Sequence, residues 1–337
     1  MPDRSAKVHA MASETVTWTR VTERAPWKVR AMPRGGVLDG WFYVIAGRAG
    51  AATIHGDTWR SRDGIEWEPM SARAGWGKRA YPEVDVVGDA LVLTGGQSLT
   101  RFFNDVWRSE DEGRTWHQVC ADAPWAPRAG HHTTVIDGSI YLFAGGMKSW
   151  RRIFYPELWV SHDAGGSWEL RSELPEDMGR AGMQVVVVDD VIYFMGGDHD
   201  RPVFRANWQG RRNDVWSSTD LGRSWELLGT APWAPRTGQQ CIAHDGRVFC
   251  IGGHIQGAHR TRQALAHDMW MWDPARGMDA WELVTDDVWG AGSDPDVDGK
   301  SDFLLEVRDD HLWTFGGDRE VASPWPQDND VWTADIS

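Results

Sequence analysis

Three cysteines in 337 residues are too few for a disulfide framework, and no run of apolar residues approaches the length that spans a bilayer. The first eighteen residues, MPDRSAKVHAMASETVTW, contain no apolar core of the kind a secretory leader needs, so a cytoplasmic protein is the expectation. Basic residues are scarce as well: 35 Lys and Arg stand against 49 Asp and Glu, a formal charge of −14. That balance disfavours nucleic acid and anionic membrane surfaces, both of which demand a basic face. Cys241 and Cys250 flank CIAHDGRVFC, whose Asp245-Gly246 turn sets them opposite each other on paired strands. With nothing marking the chain as secreted, they are expected to be reduced core residues.

What the chain has in excess is tryptophan, 23 of them, together with 37 glycines. Such a load asks for a repeated structural use. One unit recurs at a period of roughly fifty residues. It runs from an Arg through a turn and an apolar strand ending in Gly-Gly, then a variable loop, a Trp strand, a tight turn and a second Trp. The clearest copy is RAGHHTTVIDGSIYLFAGG from Arg128, followed by PELWVSHDAGGSWEL ending at Leu170. Other copies start at Arg30, Arg79, Arg180 and Arg236, with a divergent one near Gly299. Four short runs per unit, rich in Val, Ile, Trp and Phe, predict an all-β, six-bladed β-propeller of four antiparallel strands per blade. Paired tryptophans, such as Trp107 with Trp116 and Trp216 with Trp225, would fill the wedges between blades.

The last unit stops at NDVWTADIS without a final Trp strand, while TVTWTRV around Trp18 precedes the first Arg. The N-terminal strand is therefore expected to complete the last blade and close the ring. The reading is a flexible tail over 1–12 and a single propeller domain over 13–337, with a monomer expected.

Inner strands line the central channel. Aligning them puts Met32, Tyr81, Gly130, Gly182, Gly238 and Ser301 at its mouth. Two residues deeper come Arg34, Glu83, His132, Gln184, Gln240 and Phe303, with Asp85 below Glu83. A one-residue error would exchange that tier for Pro33, Pro82, His131, Met183, Gln239 and Asp302. Convergent titratable groups suit either a water-filled shaft or a ligand site. As a site, Glu83 and His132 form the acid–base pair, and Arg34 binds an anionic or carbonyl oxygen. The unit-initial arginines recur in five units and read as structural, as do Trp27, Trp76, Trp125 and Trp233 just before them and Trp289, which is approximately equivalent in the sixth.

Loops between second and third strands do not repeat. SWRRIFYPE, DHDRPVFRANWQGRR and HIQGAHRTRQALAH carry Trp150, Arg151, His199, Arg205 and His254 to a basic, aromatic rim. In an acidic chain that rim suits an anionic or sugar-like small-molecule substrate. Asp198, His254 and Asp318 each follow a Gly-Gly, but on separate blades, and are expected to lie too far apart to share an ion.

The unit resembles the kelch repeat over essentially the whole chain, in its Gly-Gly, Trp spacing and strand order. SEDEGRTW at 109, SHDAGGSW at 161 and STDLGRSW at 218, with a shorter SRDGIEW, resemble the Asp-box of sialidase-type propellers. That resemblance implies hairpin turns in which Asp and Ser cap backbone amides, away from any active site. DPDVDGKSD, residues 294 to 302, resembles the calcium loops of EF-hands and integrin-type propellers. Asp294, Asp296 and Asp298 would ligate Ca²⁺ through side chains, Lys300 through its carbonyl, and Asp302 directly or through water. Leu305 stands where an EF-hand has its bidentate Glu, so the match is to the loop rather than to an EF-hand.

Kelch propellers include sialic acid mutarotases, which need only such acid–base groups around a sugar. The resemblance therefore implies an isomerase, with a metal-assisted lyase or hydrolase as the other enzymatic reading. The oxidase type needs copper-ligating tyrosines, for which five tyrosines offer no set, and the iron motif of the specifier-protein type is absent. The alternative is a non-catalytic module presenting its rim to a protein or carbohydrate partner.

Overall fold

The computed structural model describes residues 16–50, 52–147, 153–199, 210–255, 264–290, 299–319 and 327–337. Six four-stranded antiparallel sheets form a ring, as the repeat predicts. From blade one to blade six the inner strands are Arg34–Leu38, Glu83–Val87, His132–Ile136, Gln184–Val188, Gln240–His244 and Leu304–Arg308. Blade six takes its outer strand from the other end of the chain: Trp18–Thr22 pairs antiparallel with Gln327–Asp335, Trp18 opposite Ala334 and Arg20 opposite Trp332. The predicted tail falls among residues 1–15, outside the described residues. No helix among the described residues is long and apolar enough to cross a membrane.

The unit-initial base explains why each blade holds its shape. Arg30, Arg79, Arg128, Arg180 and Arg236 are buried, and each ion-pairs with an acid at the start of its third strand: Asp57, Asp105, Glu157, Asp214 and Asp268, at 2.5–2.9 Å. The same acids accept the indole N–H of Trp59, Trp107, Trp159, Trp216 and Trp270 two residues on. In blade six Lys300 takes the arginine's place, its Nζ 2.5 Å from Asp330, which also accepts from Trp332. A buried charge is tolerable only with such a partner.

Between blades the stitch is made of backbone. The amides of Gly47, Gly96, Gly145, Gly197, Gly253 and Gly317 donate at 2.8–3.0 Å to the carbonyls of Arg79, Arg128, Arg180, Arg236, Lys300 and Arg30, each in the next blade. These glycines lie at φ between +78° and +121°. A Cβ on Gly197 would lie 2.9 Å from the Met183 Cβ, so both the dihedral and the close approach require glycine.

The turns between third and outer strands cap themselves. Gly165 N donates to Ser161 Oγ and Ser167 N to Asp163 Oδ1, both at 2.8 Å, with the same pattern at Ser109/Asp111 and Ser218/Asp220. Each turn leans on its neighbour: a Cβ on Gly165 would come within 2.5 Å of Val106 in blade two. Six buried apolar clusters, each drawn mainly from two adjacent blades, fill the wedges.

One expectation is corrected in blade five. Cys241 and Cys250 stand opposite each other with Cα atoms 4.2 Å apart and are joined as a disulfide rather than left reduced. The pairing expected from the Asp245-Gly246 turn brings the two side chains to one face at short range, and that proximity outweighs the expectation drawn from compartment. Cys120 is a free thiol.

Candidate functional site at the channel mouth

Two residues after each unit-initial base the chain turns into the channel, and there the backbone adopts a left-handed conformation in every blade. Met32, Tyr81, Gly130, Gly182, Gly238 and Asp302 have φ between +54° and +67°. Neighbouring blades are linked at this level: Asp302 N donates to Gly238 O, Gly182 N to Gly130 O and Met32 N to Asp302 O, at 2.5–3.0 Å. The mouth position in blade six is therefore Asp302, not Ser301. Lys300 stands where the other units have arginine, and counting from it gives the same spacing as in the other five blades. Glycine adopts this conformation freely, whereas a side chain costs roughly 1–2 kcal/mol, less for Asp. Blades three, four and five use glycine. Blades six, one and two do not.

A second ring lies beside the first. The residue after each stitching glycine bridges back to the chain one position before the mouth: Arg48 to Ala31, Gly146 to Ala129, His254 to Thr237, Asp318 to Ser301. This pairing draws His254, Asp302 and Asp318 together, so that one ligand atom from each lies within 4.8 Å of the others. Asp318 accepts Gln327 Nε2 at 2.7 Å and pairs with Arg48 Nη2 at 3.2 Å. His254 Nε2 lies 3.9 Å from Asp302 Oδ2. His254 and Asp318 are thus not too far apart, contrary to expectation, because the bridge carries the residue after Gly-Gly inward; Asp198 does not join the group.

Electrostatics at the mouth follow from this crowding. Burial raises the Asp318 carboxyl, and Arg48 offsets part of the rise. Burial raises the Tyr81 hydroxyl too, and the Asp302 charge pushes in the same direction. Burial alone would lower Arg48, but Tyr81, Asp318 and Asp302 outweigh it and hold the guanidinium firmly charged.

Below the mouth sits the sequence-predicted tier. Strand register places Arg34, Glu83, His132, Gln184 and Gln240 at equivalent positions, opposite Ile45, Thr94, Phe143, Met195 and Ile251. In blade six the equivalent residue, opposite Phe315, is Leu304. Phe303 belongs to the set that points back into the blade: it is fully buried, its ring 5.1 Å from that of Trp289. It is not a substrate contact, and the reason is the same one-residue slip that misplaced Ser301.

Within the tier, side chains reach forward to the next blade. Arg34 Nε donates to Glu83 Oε1 at 2.9 Å, and Gln184 Oε1 accepts from Cys241 N at 3.0 Å. Gln184 also gives its amide N–H to Met183 O, so both of its ends serve the scaffold. Burial raises the Glu83 carboxyl, which Arg34 partly counters. His132 is lowered to about 3 by burial and by Arg34, which leaves a neutral imidazole at physiological pH. One step deeper, burial lifts Asp85 to about 7, with Thr133 working against the rise and Glu83 adding to it. Glu306, at the equivalent position of blade six, is lifted by burial to about 8.

The rim is only partly described. His199 Nδ1 bonds Gly179 O at 2.6 Å, and its ring stacks on Phe154. Trp150, Arg151 and Arg205 lie outside the described residues, as do Asp294, Asp296 and Asp298. Of the predicted calcium loop only Lys300 and Asp302 are among the described residues. The Lys300 carbonyl accepts the Gly253 amide at 2.8 Å while its side chain anchors blade six, and Asp302 faces His254 and Asp318. Sequence reasoning missed Arg48, whose signal was its place directly after Ala46-Gly47, the same place His254 and Asp318 hold in their units.

No family model matches the chain, and no curated protein matches its sequence. Among solved structures, the chain is similar to that of YjhT, with a TM-score of 0.70 over 92% of this chain and 95% of that one, at 16% identity. At that identity the likeness shows the fold.

Proposed function

We propose that the protein is an isomerase of the mutarotase type, acting by proton transfer on an anionic, sugar-like small molecule held at the top of the channel. The observation that carries this reading is the Arg34–Glu83 pair, a guanidinium and a carboxylate 2.9 Å apart, both largely buried, just beneath the mouth. The kelch-like repeat and the similarity of fold to YjhT are consistent with it.

Mutarotation opens a cyclic hemiacetal and closes it on the other face. Glu83 takes the proton of the anomeric hydroxyl; the C–O bond to the ring oxygen breaks, and Glu83 returns the proton to that oxygen. The reverse sequence closes the ring after rotation about the carbonyl carbon. A carboxyl raised above its ordinary value suits both halves of this exchange, because it holds and releases a proton nearer neutral pH. Arg34 keeps the carboxyl in place and offers its remaining N–H groups to a carboxylate or to the developing carbonyl oxygen. His132, held neutral, acts as a hydrogen-bonding group rather than as the acid of the pair.

The test is anomer exchange. A freshly dissolved single anomer of N-acetylneuraminate is followed by NMR with and without protein, using glucose as the uncharged comparison. The reading expects faster equilibration of the anionic sugar and a return to the background rate in Glu83→Gln. Equal rates with and without wild-type protein would refute it.

A further inference from the structure

The bridge beside the mouth recurs in all six blades, and its two partners vary together. One position before the mouth, the first four blades carry Ala31, Ala80, Ala129 and Ala181, opposite Arg48, Gln97, Gly146 and Asp198. The last two carry hydroxyls instead: Thr237 opposite His254, and Ser301 opposite Asp318. Both hydroxyls therefore face members of the His254, Asp302 and Asp318 group. Ser301 and Asp318 exchange both backbone hydrogen bonds, at 3.2 and 2.8 Å, and residues so opposed project their side chains to the same side. The Ser301 Oγ thus stands on the carboxylate side of the bridge. It is fully buried, and among the described residues it has no hydrogen-bond partner. A buried hydroxyl left unpaired costs about 1–3 kcal/mol, so alanine, which serves four other blades, would be the more stable residue here unless a ligand meets the oxygen.

We propose that His254, Asp302, Asp318 and Ser301 bind a first-row divalent cation such as Zn²⁺ or Mn²⁺. One imidazole with two carboxylates is a donor set for such ions, whereas calcium and magnesium take oxygen alone. Bonds of about 2.1 Å place the donors around an ion roughly 3–4 Å from one another. One donor atom from each of His254, Asp302 and Asp318 lies within 4.8 Å of the others, a span that small side-chain rotations close. Protein donors in this number leave positions for water or a substrate oxygen, which the ion would polarise. The inference does not rest on proton transfer at Glu83, and either reading can fail without the other.

Outer partners orient the Asp318 carboxylate. Gln327 Nε2 donates to its Oδ1 at 2.7 Å and Arg48 Nη2 to its Oδ2 at 3.2 Å. Hydrogen bonds of this kind fix a ligating carboxylate, and each oxygen keeps a second lone pair for a metal. The Arg48 charge opposes a cation, but it is one positive charge against the two carboxylates of Asp302 and Asp318, so the ionised group still attracts one.

The experiment titrates the full chain, stripped with chelator, with Zn²⁺ and Mn²⁺ by calorimetry, beside variants borrowed from other blades. Asp302→Gly takes the residue of blades three to five, His254→Gln that of blade two, and Ser301→Ala that of blades one to four, so each enters a backbone known to accept it. Wild type is expected to bind one equivalent of at least one ion. Asp302→Gly and His254→Gln are expected to weaken that binding at least about tenfold, and Ser301→Ala at least about threefold. Metal-free Ser301→Ala is expected to melt no lower than metal-free wild type, because it sheds an unpaired hydroxyl. A chain with Asp294, Asp296 and Asp298 all changed to Asn is expected to bind as wild type does. The proposal is overturned if wild type binds neither ion saturably, or if the three mouth variants leave the binding intact. It is overturned equally if binding disappears with the three Asn, which places the ion in the acidic loop, or if metal-free Ser301→Ala melts lower.

Discussion

Arg34 Nε donates to Glu83 Oε1 at 2.9 Å across the boundary between blades one and two, so an ion pair of the inner tier also joins two neighbouring sheets. Its loss is therefore felt twice. Replacing Arg34 with Met removes the one influence that lowers the Glu83 carboxyl and leaves burial to raise it further. Breaking a buried pair from one side typically costs about 3–5 kcal/mol. A group raised in the folded state favours folding at low pH, and that contribution disappears as pH rises through its folded value. Arg34→Met should thus come nearest to wild-type stability in acid and fall behind as the pH rises, as urea melts at pH 4.5 and pH 8 would show.

Asp85 offers a cleaner titration. Its carboxyl is at about 7 in the folded protein, against about 3.9 in an unfolded chain. The folded state holds the extra proton, so wild type loses stability from about pH 4 up to about pH 7 and levels off above. Asp85→Asn removes this contribution. Its stability relative to wild type should climb across the same window by an amount approaching ~4 kcal/mol as an upper bound. A pH-independent difference between the two proteins would show that Asp85 does not titrate in this way.

The blade anchors make a prediction without reference to ligands. Asp214→Ala leaves the fully buried Arg180 without its carboxylate and Trp216 without its acceptor. A loss of about 3–5 kcal/mol is expected. Exposed Glu226, at the outer edge of the same blade, should tolerate Ala within about 0.5 kcal/mol. Chemical denaturation of the two variants side by side checks the contrast.

Deleting residues 1–22 should remove the outer strand of blade six and bare the edge of Gln327–Asp335. An unpaired edge of that length recruits other chains. Size-exclusion chromatography is expected to show association of the truncated protein together with a lowered melting temperature.

The architecture was legible because it is written in repeated marks. Glycine pairs, initial arginines and paired tryptophans each meet a requirement that every blade shares, and the Trp18 strand revealed itself by what the last unit lacked. The inner tier followed from strand alternation in five blades. It slipped by one in the sixth, where Lys300 does an arginine's work under another letter. The mouth cluster was hidden for a different reason. Arg48, His254 and Asp318 occupy one structural position in three units, yet share no chemistry that would align them. Their meeting depends on the bridges beside the channel, which leave no residue signature. Nor does sequence show that Tyr81 and Asp302 stand in a left-handed conformation, because Tyr is at home in ordinary strands and Asp serves many kinds of turn.

The backbone stitch from each glycine to the next base has a mechanical consequence. It runs once around the molecule and ends where it began, with Gly317 bonded to Arg30. Like the hoop of a cask, it lets no stave come loose alone: opening any one seam releases tension at the others. The protein should accordingly melt in a single calorimetric transition, although it is assembled from six near-copies of one part.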